Sequence, residues 1–171
     1  MRVLGIDPGL RLTGYAVLEC AADEPGGNGH SSVPAVIEAG VIRLSPKQSV
    51  AERLVELERD LVDLIARTSP ERVCVEKVYS HYAHPMTGVI MAHARGVVLL
   101  TAQRAGLELL ELPPNEVKKS LTGNGHASKV QVQRTIAGVL NLAAPPEPPD
   151  VADAMAIALC GAGRIGSAIL G

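Results

Sequence analysis

Phenylalanine and tryptophan are absent from this chain and tyrosine occurs three times. Leu, Val, Ile and Ala must therefore fill the interior, and any aromatic ring that reaches the surface is a scarce group. Cysteine is sparse too. Cys20, Cys74 and Cys160 are odd in number and far apart, a pattern that disfavours a disulfide framework or a thiolate metal site and fits a reducing compartment. No long uncharged apolar run is present, so no membrane-spanning helix is expected. The opening Met1-Arg2-Val3-Leu4 lacks the basic-then-apolar pattern of a leader, and a cytoplasmic location with no membrane partner is expected. Positive charge is also wanting: 16 Lys and Arg stand against 18 Asp and Glu, a formal net charge of -2. Such a chain has no global attraction for a polyanion, and any nucleic-acid surface must be local.

What is present is enough to fold. Hydrophobic residues make up 47% of 171 residues, which suits a single domain over residues 1–171. Residues 2–7 form a short apolar run closed by Asp7-Pro8-Gly9, and residues 13–19 resume it, predicting two strands around a turn. Residues 21–34 are rich in Gly, Ser and Pro and predict a solvated surface insertion before a third strand at 35–44. From Ser49 to Thr68, Val50, Leu54, Leu57, Leu61 and Leu64 recur at steps of three and four, the mark of an amphipathic helix that Pro70 ends. Val73-Cys74-Val75 predicts a fourth strand with Glu76 at its end, followed by a polar loop over 77–85. A helix is expected over 86–104, with Gly88, Ala92, Ala94 and Gly96 letting another helix approach closely, so that its exposed side is the candidate dimer surface. Beyond it come a strand at 107–112, a short helix near 116–121, a Gly123-Asn124-Gly125 loop, a helix near 128–142 and a last helix from about Asp150. Strands first and helices later define an α/β domain with a mixed sheet.

Four acids stand out by position. Asp7 closes the first strand, where ligands collect in open α/β sheets, although Asp-Pro-Gly is a turn sequence in its own right. Glu76 ends an apolar strand, as a solvated terminal charge also would. Asp150 and Asp153 are three apart at a helix start, on one face, where simple capping is an alternative. Together they could converge on one cleft, and an all-oxygen cluster without His or Cys suits Mg²⁺ or Mn²⁺. Two such ions about 3.5–4 Å apart can activate a water and stabilise the leaving oxygen of a phosphodiester.

Gly5-Ile6-Asp7-Pro8-Gly9 with Thr13-Gly14-Tyr15, then Val75-Glu76-Lys77-Val78-Tyr79, then Asp150-Val151-Ala152-Asp153 through Ala158 resemble the bacterial Holliday junction resolvase family RuvC in order and spacing. The resemblance spans nearly the whole chain. It implies a ribonuclease H-like fold, a five-stranded mixed sheet flanked by helices, and a homodimer that nicks four-way DNA junctions symmetrically in recombination and repair. Asp7, Glu76, Asp150 and Asp153 are implied to be the catalytic acids and the ligands of two Mg²⁺ or Mn²⁺ ions per subunit. A 5′-phosphate and a 3′-hydroxyl would result. The RuvA–RuvB branch migration complex is the implied partner.

Lys118 and Lys129 match family positions that contact DNA, Lys119 and Arg134 could extend that patch, and Tyr79 matches an aromatic position that stacks on an unpaired base. Lysines on a solvated helix face would look the same without the resemblance. Tyr82, His81 and His84 share the loop of Tyr79, and the two histidines read as polar loop residues rather than ligands. The alternatives are a ribonuclease H-like nuclease acting on RNA or other branched DNA, a non-catalytic DNA-binding module of the same fold, and an actin-like phosphotransferase, which would need a second such domain.

Overall fold

The computed structural model describes residues 1–21, 33–77 and 85–169. The elements run β1 (Arg2–Asp7), β2 (Leu12–Glu19), β3 (Ala35–Arg43), α1 (Val50–Thr68), β4 (Arg72–Glu76), α2 (Pro85–Arg104), β5 (Glu108–Leu112), α3 (Pro114–Thr122), α4 (Lys129–Val139) and α5 (Pro149–Ile169). The five strands form one sheet in the order β3-β2-β1-β4-β5. The first three pair antiparallel, whereas β1–β4 and β4–β5 are parallel. The expected mixed sheet is therefore present, with β1 at its centre.

Side-chain alternation divides the interior in two. Leu4, Ile6, Val17, Val73 and Val75 face α1 and α2, where they pack with Leu57, Leu61, Leu64, Ala94 and Val98. Val3, Ala16, Leu18 and Cys74 face α3, α4 and α5, meeting Val117, Ile136, Ala154 and Ile157. Both clusters are aliphatic, as a chain without Phe or Trp requires.

Helix boundaries follow local chemistry. Ser49 caps α1 by accepting from the Glu52 amide while Glu52 returns to the Ser49 amide, a capping box, and Ser69 closes the helix in the left-handed region at φ 46°. The helix expected near 116–121 begins at Pro114, because proline has the right φ for a first turn and no amide to leave unpaired. The helix expected to reach 142 stops at Val139. Asn141 takes φ 51°, and the amides of Leu142 and Asn141 bond back to Ala137 and Gly138, a Schellman closure. The small-residue stripe on α2 also divides: Ala94 is wholly buried against the sheet, whereas Ala92 and Gly96 are exposed, beside Val89 and Leu100. Ala94 therefore serves the core rather than an outward surface. Most of the surface insertion expected at 21–34 lies outside the described residues.

The last helix rests on backbone. A Cβ on Gly5 would land on the Ala154 carbonyl oxygen, and one on Gly14 would land on the Asp150 carbonyl oxygen. Only glycine at these two positions lets α5 lie so near β1 and β2. Gly5→Ala should cost about 1–3 kcal/mol by overpacking. Gly138→Ala, where nothing lies within 4 Å of the added methyl, should instead gain up to about 1 kcal/mol from helix propensity. Chemical denaturation of both variants checks the contrast.

Candidate active site

β1 and β4 lie side by side and end together, with Ile6 opposite Val75 as their last paired residues. The next residue on each strand is an acid, Asp7 and Glu76. Alternation places both on the sheet face covered by α5, since Val3 and Cys74 point that way while Ile6 and Val75 point to the other face. α5 starts at this same end. Asp150 lies in its first turn, with its carbonyl against Gly14, and Asp153 follows three residues on. The helix begins one residue earlier than expected, at Pro149, so Asp150 is inside the helix rather than capping it.

Asp7 feels the other three carboxylates. Burial is the largest cause raising Asp7 from its ordinary 3.8 to about 7, and repulsion from Asp153, Glu76 and Asp150 adds to it. Glu76 is raised too, first by burial and then by Asp153. Two lysines oppose this. Lys129 donates to Asp153 at 3.2 Å and draws down both Asp7 and Glu76, and Lys118 draws down Glu76. The Lys129 ammonium is itself held above its usual range, chiefly by Asp153. Among the described residues no three His, Cys, Asp or Glu side chains stand close enough to form a ready-made metal shell. What exists is an acidic recess with a cation at its edge.

The other sequence-predicted residues divide. Lys119 and Arg134 are exposed on α3 and α4, the helices that carry Lys118 and Lys129. Tyr79, with His81, Tyr82 and His84, lies outside the described residues. The remaining tyrosine, Tyr15, is half-buried and donates to Glu38 at 2.9 Å, while Arg67 grips the same carboxylate from α1. Sequence reasoning missed Arg95. From α2 its Nε donates to the main-chain carbonyl of Glu76 at 3.2 Å, and its guanidinium pairs with Glu111 on β5. The signal available was a lone arginine between Ala94 and Gly96 in a segment bound for the interior.

A mixed five-stranded sheet with acids at the ends of its two central parallel strands, closed by an acidic helix start, has the ribonuclease H-like architecture. The profile of the family described as "Crossover junction endodeoxyribonuclease RuvC" matches residues 3–161. The RuvC of Synechococcus sp. (strain CC9311) is 42% identical over 161 residues, 94% of this chain and 98% of that one. Thermus thermophilus RuvC superposes with a TM-score of 0.84 at 32% identity, covering 97% of each chain. A second structure, T. thermophilus RuvC in complex with Holliday junction substrate, superposes with a TM-score of 0.83 at 28% identity over 98% of each. The chain belongs to the RuvC family of crossover junction endodeoxyribonucleases.

The raised Asp7 has a thermodynamic consequence. Between about pH 4 and about pH 7 the folded chain keeps a proton on Asp7 that the unfolded chain has released, so the stability tied to Asp7 falls as pH rises through that window and stays lost above it. Asp7→Asn should therefore raise Tm at pH 8 in EDTA by about 3–6 °C, with the gain vanishing near pH 4. Thermal melts of parent and variant across that range check both the sign and the window.

Proposed function

We propose that this chain resolves four-way DNA junctions by paired symmetric nicks, using Asp7, Glu76, Asp150 and Asp153 as its catalytic acids. The observation that carries the proposal is the gathering of these four acids at one end of the sheet, where burial first, and then repulsion from Asp153, Glu76 and Asp150, push Asp7 up to about 7. Stability alone gives no reason to gather them. Their donor set is all oxygen, which fits a hard divalent ion, and added positive charge would relieve the repulsion. Mg²⁺ or Mn²⁺, two ions per subunit, is the proposed complement. When bound, such ions supply Lewis acidity to an attacking water and to the departing oxygen, leaving a 5′-phosphate and a 3′-hydroxyl.

The protein's own groups do the rest. Asp7 and Glu76 are fixed by neighbouring strand ends, Asp150 by the first turn of α5 and Asp153 three residues further along that helix, so the four donors sit on regular elements rather than on a loop. Lys129 holds Asp153 and, with Lys118, keeps Glu76 nearer its ionised form. Both lysines stand where a DNA phosphate would enter, and Lys119 and Arg134 extend this local positive edge on an otherwise acidic chain. Tyr79 completes the DNA-binding set as the residue that stacks on a base at the junction centre.

A homodimer would present two such sites to a two-fold symmetric substrate. The exposed stripe Val89, Ala92, Gly96 and Leu100 on α2 supports an isologous contact there. We place the protein in the cytoplasm, with RuvA–RuvB delivering the junction. Family membership and the gathering of the four acids at one end of the sheet favour this reading over an RNA-directed or a non-catalytic one.

A synthetic four-way junction, a linear duplex and an RNA–DNA hybrid, each incubated with Mg²⁺ and with Mn²⁺, provide the test. Metal-dependent symmetric nicking of the junction alone is expected, and Asp7→Asn should abolish cleavage while leaving binding intact. Cleavage of all three substrates, or an active Asp7→Asn, would sink the proposal. Lys129→Met should raise the pH at which cleavage half-activates, because it removes a cation that lowers Asp7. It should also reduce the salt slope of junction binding by about one phosphate contact. A pH–rate profile and a salt titration read these two effects separately.

A further inference from the structure

The geometry assigns Arg95 as a positioning residue for Glu76, an inference that rests on the carboxylate reading above. Among the described ion pairs no arginine is more enclosed, its side chain being 17% exposed. It rises from α2 between Ala94 and Val98, both buried against the sheet face opposite the acids. Alternation along β5 puts Glu111 on that face with Leu109. Arg95 thus meets β4 and β5 from the sheet face opposite the acids.

What Arg95 holds there is the end of a strand. β1 gives β4 its last partner at Val75, whereas Glu76 is paired only toward β5, opposite Leu112. On the β5 side the next amide, Lys77, bonds the Leu112 carbonyl at 2.8 Å. The Glu76 carbonyl accepts from Arg95 Nε at 3.2 Å, and the guanidinium pairs at the same time with the Glu111 carboxylate. One planar group therefore joins α2, β4 and β5. It fixes the peptide plane that follows Glu76, and with it the direction in which the Glu76 side chain leaves the strand on the opposite face.

A lysine cannot repeat this, because a single ammonium on a flexible stem lacks the fork that reaches both partners. Arg95→Lys keeps the charge opposite Glu111 and loses the hold on the Glu76 carbonyl. Glu111→Gln does the reverse: it removes the ion pair and leaves the Nε bond in place. A clamp that serves only stability would respond to both changes alike. A positioning residue separates them.

The experiment is calorimetric titration of the purified protein with Mn²⁺ alone, alongside thermal melts and junction binding in EDTA. Arg95→Lys and Arg95→Met should each weaken Mn²⁺ binding about tenfold, the effect of removing a group that orients a ligand, with junction affinity in EDTA unchanged. Glu111→Gln should bind Mn²⁺ like the parent. In a Glu76→Gln background, Arg95→Lys should cause no further loss, since its effect passes through Glu76. Arg95→Lys carries the decision if Arg95→Met melts below the assay temperature. Parent-like Mn²⁺ affinity in Arg95→Lys, or an equal loss with and without Glu76, would overturn the assignment while leaving the carboxylate reading intact. If Glu76→Gln by itself binds Mn²⁺ like the parent, the reading of Glu76 as a ligand fails and the assignment falls with it.

Discussion

Like charges held close together are the constraint around which this molecule is organised. Burial, and then repulsion from neighbouring acids, raises the proton affinity of Asp7 and Glu76 at the end of a sheet, and that cost has to be outweighed by packing elsewhere. Two aliphatic cores, one on each sheet face, supply that packing. The sheet carries two of the acids on parallel neighbouring strands, where the carboxyl ends coincide by topology rather than by any contact between the side chains. Parallel pairing is thus what makes two acids distant in sequence into neighbours in space.

Local cations moderate the repulsion without cancelling it. Lys129 and Lys118 come from α4 and α3, helices that belong to the same layer as α5, so the acids and their counter-charges share one face of the sheet. A chain with net charge -2 thereby concentrates positive charge beside its most acidic recess. Under the proposed function this local positive edge is what would reconcile the overall composition with a polyanionic substrate. Arg95 works from the other layer and through the backbone, so the two faces contribute to the site by different means.

Much of the fold was legible in the residues. The step-three and step-four leucines marked α1, the apolar runs closed by Asp7 and Glu76 marked the central strands, and Asp150 with Asp153 marked the start of α5. Boundaries were less so, because they depend on single dihedral choices: Pro114 opening a helix and Asn141 ending one are decided by capping bonds that periodicity does not register. The acids were visible as a set, each having an ordinary local explanation on its own. The Lys129–Asp153 bond and the reach of Arg95 were not, since both depend on how α4 and α2 sit against elements far away in sequence. The small residues on α2 did not themselves tell which of them pack inward, as Ala94 does, because small residues serve equally to approach a sheet and to approach another helix.

The glycines under α5 give the site a further property. Where a helix is spaced from a sheet by interlocking side chains, its height drifts as those side chains are exchanged over evolutionary time. Here Gly5 and Gly14 meet main-chain carbonyls, including that of Asp150 itself. Main chain does not change with substitution. The gap between the strand-borne and helix-borne acids is therefore gauged by backbone against backbone, and the aliphatic interior can be rewritten residue by residue while that gauge holds. A lineage can diverge widely under such a rule and still hand down the same spacing of charges.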